Sequence, residues 1–298
     1  MTAAGAPPLF PEPRALRFAA ILVDEAFDEL GLYVLHHNRW VVSGADNDAG
    51  PRLTREFACF LPPGTRRRVA HGFARRQVRR LPYLFSVAPR RFSIPGLACD
   101  LTPPSRAGFP PTHALLDEAW GALVDALEVV LSSRPFLLGE RFTIADASAF
   151  GQIGGNFADP SARARLRERA PRTFTWLDSV WRGAHVGSTG PLDLTGASAL
   201  LAVIARWFVP LMRQNEAAYL AQTRAGQTLF NERAFDRGQA LYDGELLGYS
   251  FRSVVKTFQV QVWRELRAAW RELSGAERSR LSLLAGHDLD GAFADEPG

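Results

Sequence analysis

The residues with the most evident chemistry stand together as His36-His37-Asn38-Arg39-Trp40, at the end of the first amphipathic segment. Imidazole, guanidinium and indole groups bind anionic or aromatic ligands, although cations at the C-terminus of a helix also complement its dipole. Adjacent histidines point in different directions on a helix and no third ligand stands at a suitable spacing, so no metal site is predicted. Serine, cysteine and histidine occur without the context of a nucleophilic site, and no catalytic residue is predicted.

A run of basic residues is the second group with chemical potential. Several of them would share a helical face, where they could converge on a phosphate, a nucleic acid or an acidic partner. Most such runs are solvated surface, and no aromatic residues are interleaved here to stack on single-stranded nucleic acid. Nucleic acid is therefore not an expected partner, and the role of the run stays open. The run consists of Arg66, Arg67, Arg68, His71, Arg75, Arg76, Arg79 and Arg80.

The third pattern predicts a structural capping box made of Phe142, Thr143 and Asp146. As the N-cap, Thr143 accepts a hydrogen bond from the Asp146 amide, while the Asp146 carboxylate accepts one from the Thr143 amide. Phe142 precedes the cap, where an apolar residue packs on the first turn. The carboxylate also lies where the helix dipole favours negative charge.

The composition of the whole chain restricts its class. Its 298 residues are 47% hydrophobic and 22% charged, which is typical of a folded protein of about two domains. Two cysteines, Cys59 and Cys99, are too few for a disulfide framework. No segment looks like a signal peptide or a membrane span, so we expect a cytoplasmic protein without a membrane partner. The 35 basic residues include one lysine, Lys256, and the net charge is only +4, so the arginine bias indicates genome composition rather than nucleic-acid binding.

Helical periodicity dominates the sequence and predicts an all-α fold. The first helix follows Pro13 and ends near His36, with a buried face opposite an acidic one. Turn signals dominate residues 41–111, apart from a short helix over 66–80. The acidic face consists of Asp24, Glu25, Asp28 and Glu29.

Further helices are predicted over 112–132, from residue 143, and over 171–181. Another runs over 194–221 and is interrupted or kinked at Pro210. Residues 236–251 are the least regular segment, in which Asp243-Gly244 is predicted to close a tight turn. A long helix over 255–273 and a capping box at Ser274–Glu277 complete the chain.

The stretch Leu137, Gly139, Thr143, Ala145 and Asp146 matches Leu-x-Gly-x-x-x-Thr-x-Ala-Asp, which resembles the C-terminal helical domain of the glutathione S-transferase superfamily. A long helix precedes this stretch and Pro171–Trp176 follows it, as in that family. Leu9–Pro13 is similar to the family's linker before the first helix. The resemblance is specific over 9–40 and 112–182.

The resemblance implies a helical bundle over 14–186, with a linker-like start over 1–13 and an arginine-rich insertion over about 41–111. Residues 187–298 are then a helical extension of unknown role. The family's thiol-activating residue lies in a thioredoxin-like domain of about 80 residues, for which the residues before the first helix leave no room. We therefore expect that group to come from upstream residues or from another polypeptide, and the resemblance leaves open whether this chain is an enzyme.

As a function, the resemblance implies that the chain supplies the substrate side for glutathione conjugation or a related thiol transfer. Glutathione would be a cosubstrate and the other substrate a small hydrophobic electrophile, with no bound cofactor and a homodimer as the expected assembly. The substrate-binding residues implied are Tyr33, His37, Arg39 and Trp40. The alternative is a non-catalytic interaction or scaffold module of the same fold.

Overall fold

A computed structural model describes residues 8–89 and 103–294; Cys99, part of the expected insertion and both ends of the chain lie outside these ranges. The described chain is mostly helical, as the periodicity predicts, with one antiparallel β-hairpin. The helices are α1 (Arg14–Ala26), α2 (Leu32–His37), α3 (Ala49–Glu56), α4 (Arg66–Arg80), α5 (His113–Val130), α6 (Ile144–Gly154), α7 (Pro160–Arg169), α8 (Pro171–Trp181), α9 (Ser198–Arg224), α10 (Glu232–Asp236), α11 (Thr257–Arg271), α12 (Gly275–Ala285) and α13 (Leu289–Phe293), and the strands are β1 (Leu241–Leu246) and β2 (Tyr249–Val254).

Helices α1 and α2 belong to one continuous helix over 14–42, interrupted by π-helical turns at Phe27–Gly31 and Asn38–Val42. The helix therefore extends past His36, where the periodicity predicts its end. Each π turn holds an additional residue, which shifts the following side chains relative to the helical stripe. As a result Glu29, predicted on the exposed acidic face, is buried.

One hydrophobic core joins the beginning and the end of the described chain. The ring of Phe18 on α1 lies 5.1 Å from that of Trp270 on α11 and 5.5 Å from that of Phe293 on α13. Helix α9 packs against α5, α11 and α12. The segment after residue 187 therefore shares its core with the helices that precede it.

The helix over 195–224, which contains α9, is long and apolar enough to cross a membrane by length and composition, with a mean hydropathy of 1.5 in its most apolar window. More than half of that window, 56%, is buried inside the protein. Such burial is equally typical of the core helix of a soluble fold. Within it, Pro210 lies inside a helix that the structure shows as continuous, so the predicted interruption is absent.

The β-hairpin corrects the all-α prediction for this segment. Asp243 and Gly244 do not form the turn but lie inside β1, where they pair with Arg252 and Phe251. The turn is formed by Leu247 and Gly248, whose φ angles are 50° and 82°. Two consecutive positive φ values match the right-handed twist of a two-residue hairpin.

Helices α3 and α4 form an antiparallel pair that we call the arginine hairpin, Ala49–Arg80. Its two helices approach closely, because a Cβ on Gly50 would lie 2.7 Å from the carbonyl oxygen of Ala70. The hairpin is anchored by a second, small hydrophobic cluster. This cluster consists of Trp40, Ala49, Val78 and Leu81, with Phe73, Ala74 and Leu84 packed against it.

Candidate functional site

The only lysine of the chain, Lys256, lies between β2 and α11 and contacts a buried tyrosine. Its Nζ is 2.5 Å from the hydroxyl oxygen of Tyr33 and 4.4 Å from the centroid of the Tyr33 ring. The backbone of Lys256 is held by Asn215 of α9, whose side chain accepts from its amide and donates to its carbonyl, both at 2.9 Å. The position of the amine is thus fixed from two elements.

Glu29 and Gln259 complete this group, which we call the Tyr33–Lys256 cluster. The Gln259 amide nitrogen donates to Glu29 Oε2 at 2.8 Å and to the Tyr33 hydroxyl at 2.6 Å. Glu29 lies in the first π turn and Tyr33 one turn later, so the irregular helix brings both toward α11. Glu29, Tyr33 and Gln259 are buried, whereas Lys256 is partly exposed.

Burial governs the protonation of this cluster. It lowers the pKa of Lys256 to about 7, against the raising effect of the Glu29 charge. It raises the pKa of Glu29, although the Gln259 hydrogen bond and Lys256 act in the opposite direction. It also raises the pKa of Tyr33 well above its ordinary value, so Tyr33 stays a neutral phenol. An amine with a pKa near 7 is partly neutral at physiological pH and can act as a base or a nucleophile.

An acidic residue lies beside this cluster. Burial, together with the charges of Asp24, Glu29 and Asp28 on the same helix and of Glu265 on α11, raises the pKa of Glu25 to about 7. Perturbed pKa values gather at functional sites, and they also arise in structural ion-pair networks. The same contacts tie the first helix to α11, which gives the cluster a structural role as well.

The structure does not bring Tyr33, His37, Arg39 and Trp40 together at one cleft. Tyr33 belongs to the Tyr33–Lys256 cluster, and Trp40 packs in the small cluster under the arginine hairpin. Arg39 donates from Nε to Asp159 at 2.9 Å, in an ion pair between the first helix and the start of α7. The four side chains therefore contact different parts of the fold.

His37 is buried and pairs with a second histidine. Its Nε2 lies 2.9 Å from Nδ1 of His113, while its own Nδ1 is buried without a hydrogen-bond partner among the described residues. Burial, followed by the His113 and Arg165 charges, lowers the pKa of His37 to about 3. His37 is therefore a neutral imidazole at physiological pH. Among the described residues, no group of three or more histidine, cysteine or acidic side chains could hold a metal ion.

The predicted capping box is present at the start of α6. The Asp146 carboxylate accepts from the amide and the hydroxyl of Thr143, both at 2.9 Å, and from the amide of Leu137 at 2.7 Å. The Phe142 ring packs 5.6 Å from that of Phe136. Burial raises the pKa of Asp146 to about 6, although these hydrogen bonds act to lower it. The carboxylate thus joins the start of α6 to the turn that precedes it.

A groove of about 560 Å³ lies between the end of α5 and α8. Such a volume is within the range of ligand sites. Its walls combine apolar and basic side chains, and no acidic residue lines it. The lining residues are Leu131, Arg134, Pro135, Pro171, Arg172, Thr175, Trp176 and Ser179.

Sequence reasoning named Tyr33 but missed its partners. Glu29 was assigned to an exposed face, and Gln259 has a residue type that carries no signal. Lys256 could have been found, since it is the one lysine in a chain that uses arginine at every other basic position apart from histidine. No family model, curated protein or solved structure matches this chain.

Proposed function

We propose that this chain supplies the helical, substrate-side part of a glutathione S-transferase-like protein. In this function, the sulfur of glutathione is transferred to a small hydrophobic electrophile, and the group that activates the thiol lies outside the described residues. The described helices contribute the binding surface for the electrophile. No bound cofactor is needed for such a transfer.

The observation that carries this proposal is the buried Asp146 carboxylate with its hydrogen bonds to Thr143 and Leu137. These are positions of the motif on which the resemblance rests. The helix that the box opens, α6, packs against α1. The motif is therefore part of the core in the way that the resemblance implies.

The position of the linker-like residues also supports the proposal. The carbonyl of Leu9 accepts a hydrogen bond of 3.2 Å from the amide of Ile144, the first residue of α6. The chain before α1 thus lies against the capping box. Residues preceding Leu9 in a longer chain, or a partner docked there, would adjoin the same helices.

The groove between α5 and α8 is suited to a conjugate of glutathione. Leu131 and Trp176 offer apolar surface, while Arg134 and Arg172 carry the charge that pairs with carboxylates. A glutathione conjugate has both an apolar substituent and carboxylates. We therefore assign the substrate side of the proposed function to this groove.

Isothermal titration of the full chain with glutathione and with S-hexylglutathione tests the proposal. We expect S-hexylglutathione to bind with a Kd of roughly 1 mM or below and glutathione to bind more weakly, since the hexyl chain fills the apolar part of the groove. Absence of binding by both compounds at concentrations of about 10 mM would contradict the proposal.

A matched pair of variants on α8 locates the site. Arg172, 62% exposed, lines the groove, whereas Arg182, 76% exposed, lies at the end of the same helix outside it. Arg172→Ala should weaken S-hexylglutathione binding, and Arg182→Ala should leave it unchanged. Equal effects of the two substitutions would show that the ligand does not occupy the groove.

A non-catalytic interaction module is the second candidate function. The exposure of Phe57 and Phe60 on the arginine hairpin favours it, because exposed aromatic side chains beside a charged surface are typical of contact sites. This candidate predicts a homodimer or heteromer without thiol transfer. Light scattering after size exclusion measures the assembly, and conjugation of glutathione by the isolated chain would rule this candidate out.

A further inference from the structure

The positive charge of this protein is concentrated in the arginine hairpin. Residues 49–80 contain nine arginines and one acidic residue, Glu56, which gives them a formal charge of +8. The whole chain carries only +4, so the remaining residues together carry −4. A general arginine bias would spread this charge, and therefore does not explain its concentration on one pair of helices.

Most of these arginines are not neutralised within the described part of the chain. Arg52 pairs with Glu56, Arg55 with Asp48, and Arg80 with Glu232. The other six make no ion pair there and are exposed. They are Arg66, Arg67, Arg68, Arg75, Arg76 and Arg79.

The pattern of these arginines forms a continuous basic surface. Arg68, Arg75 and Arg79 share one face of α4, with Arg76 next to them, over a length of about 17 Å. Val78 lies on another face, which packs against the anchoring cluster. The basic face therefore points away from the contact that holds the hairpin.

Helix stability does not account for the first arginines of α4. Arg66, Arg67 and Arg68 occupy its first turn, where the helix dipole disfavours positive charge. No acidic residue is present in that turn. An external anion would offset this unfavourable arrangement.

The connection between α3 and α4 adds exposed aromatic surface to this charge. Phe57 is 50% and Phe60 is 79% exposed, and their ring centroids lie 6.5 Å apart. They precede the arginines of α4 by one short turn that contains Gly64. The hairpin thus presents a pair of phenyl rings beside a row of guanidinium groups.

We propose that the arginine hairpin docks this protein on a membrane surface rich in anionic phospholipid. The Phe57 and Phe60 rings enter the interface between headgroups and acyl chains, and the arginines of α4 bind the lipid phosphates. This is attachment to a surface and involves no membrane-spanning segment. Nucleic acid would satisfy the arginines but leave the paired phenyl rings without a role, since α4 offers no interleaved aromatic residues for stacking.

Co-sedimentation with lipid vesicles tests this proposal, using the full chain. We expect binding to vesicles of phosphatidylcholine with about 30% phosphatidylglycerol, and binding weaker by about tenfold or more to phosphatidylcholine alone. Each arginine near such a surface contributes about a fivefold factor in affinity. The binding should weaken as salt screens these charges.

Two hairpin variants and one control separate this surface from general charge. Arg75→Glu/Arg76→Glu should reduce binding by about tenfold or more, and Phe60→Ser should reduce it without changing its salt dependence. The control, Arg206→Glu/Arg224→Glu, makes the same charge change at exposed positions of α9 and should retain binding, apart from the small effect of net charge. Circular dichroism checks that all three variants fold.

The proposal is overturned if the anionic vesicles do not bind the wild-type chain, or if the control loses as much binding as Arg75→Glu/Arg76→Glu. It is also overturned if a DNA or RNA oligonucleotide binds more tightly than the vesicles at the same salt and Phe60→Ser has no effect. In that case the hairpin is a nucleic-acid surface. These outcomes are independent of glutathione binding, which concerns other residues.

Discussion

The amine of Lys256 lies 2.5 Å from the hydroxyl of Tyr33, a residue 223 positions earlier in the chain. This contact joins the start of α11 to the irregular first helix, and Gln259 and Glu29 extend it. An amine next to a neutral phenol in a buried site loses hydration that the phenol only partly replaces. The contact is therefore one in which the protonated lysine costs stability.

Replacing Lys256 by methionine should reveal that cost through its pH dependence. The pKa of Lys256 is about 7 in the folded chain and about 10.5 when unfolded, so between these values the unfolded state binds more protons. Wild-type stability relative to Lys256→Met should therefore rise with pH from 7 to about 9.5, by at most about 1.4 kcal/mol per pH unit.

Urea denaturation at several pH values measures this difference. Phe258→Met, at the neighbouring and 63% exposed position, serves as the control, because it should shift stability equally at each pH. A difference between wild type and Lys256→Met that stays constant from pH 7 to 9.5 would show that the amine keeps its ordinary pKa.

Glu25 should produce the opposite trend at lower pH. Its pKa is about 7 in the folded chain against 4.5 when unfolded, so the folded state retains its proton longer. Stability of the wild type relative to Glu25→Gln should therefore fall as the pH rises from 4.5 to 7 and stay level above that range. Thermal unfolding measures the effect, with Glu12→Gln at an exposed position as the control. A level difference across this range would disprove it.

Periodicity and capping signals predicted much of the helical structure. The helix over 66–80 is confirmed as α4, and those over 112–132 and 171–181 as α5 and α8. Both capping boxes, at Thr143 and at Ser274, are present. These signals are local, since a cap and its partner lie within one turn, and so a single sequence carries them.

The Tyr33–Lys256 cluster could not be predicted in this way. Its members are more than 200 positions apart, and Glu29 is turned inward by a π turn that has no recognised sequence signal. The hairpin was missed for a different reason. Asp243-Gly244 is a strong turn pair in isolation, but the Phe251 ring covers Gly244 in the sheet, and Leu247-Gly248 takes the turn instead.

Asp146 should contribute strongly to stability, because its carboxylate satisfies three buried donors. Asp146→Asn removes the charge and turns an amide group toward at least one of those donors, which should cost about 3 kcal/mol. Urea denaturation measures this loss. The matched control is Glu277→Gln in the exposed capping box of α12, where a much smaller loss is expected. Equal losses in the two boxes would contradict a special role for the buried carboxylate.

The turn residue Leu247 should limit the stability of the β-hairpin. Its φ of 50° places a branched side chain in the left-handed region, where asparagine is tolerated better. Its side chain is 36% exposed, so little packing is lost on replacement. Leu247→Asn should therefore stabilise the chain by about 1 kcal/mol in urea denaturation. Leu283→Asn, at an 81% exposed position inside α12, should give no gain, because helical backbone offers asparagine no such relief. If both substitutions destabilise the chain to the same extent, the strain at Leu247 is too small to matter.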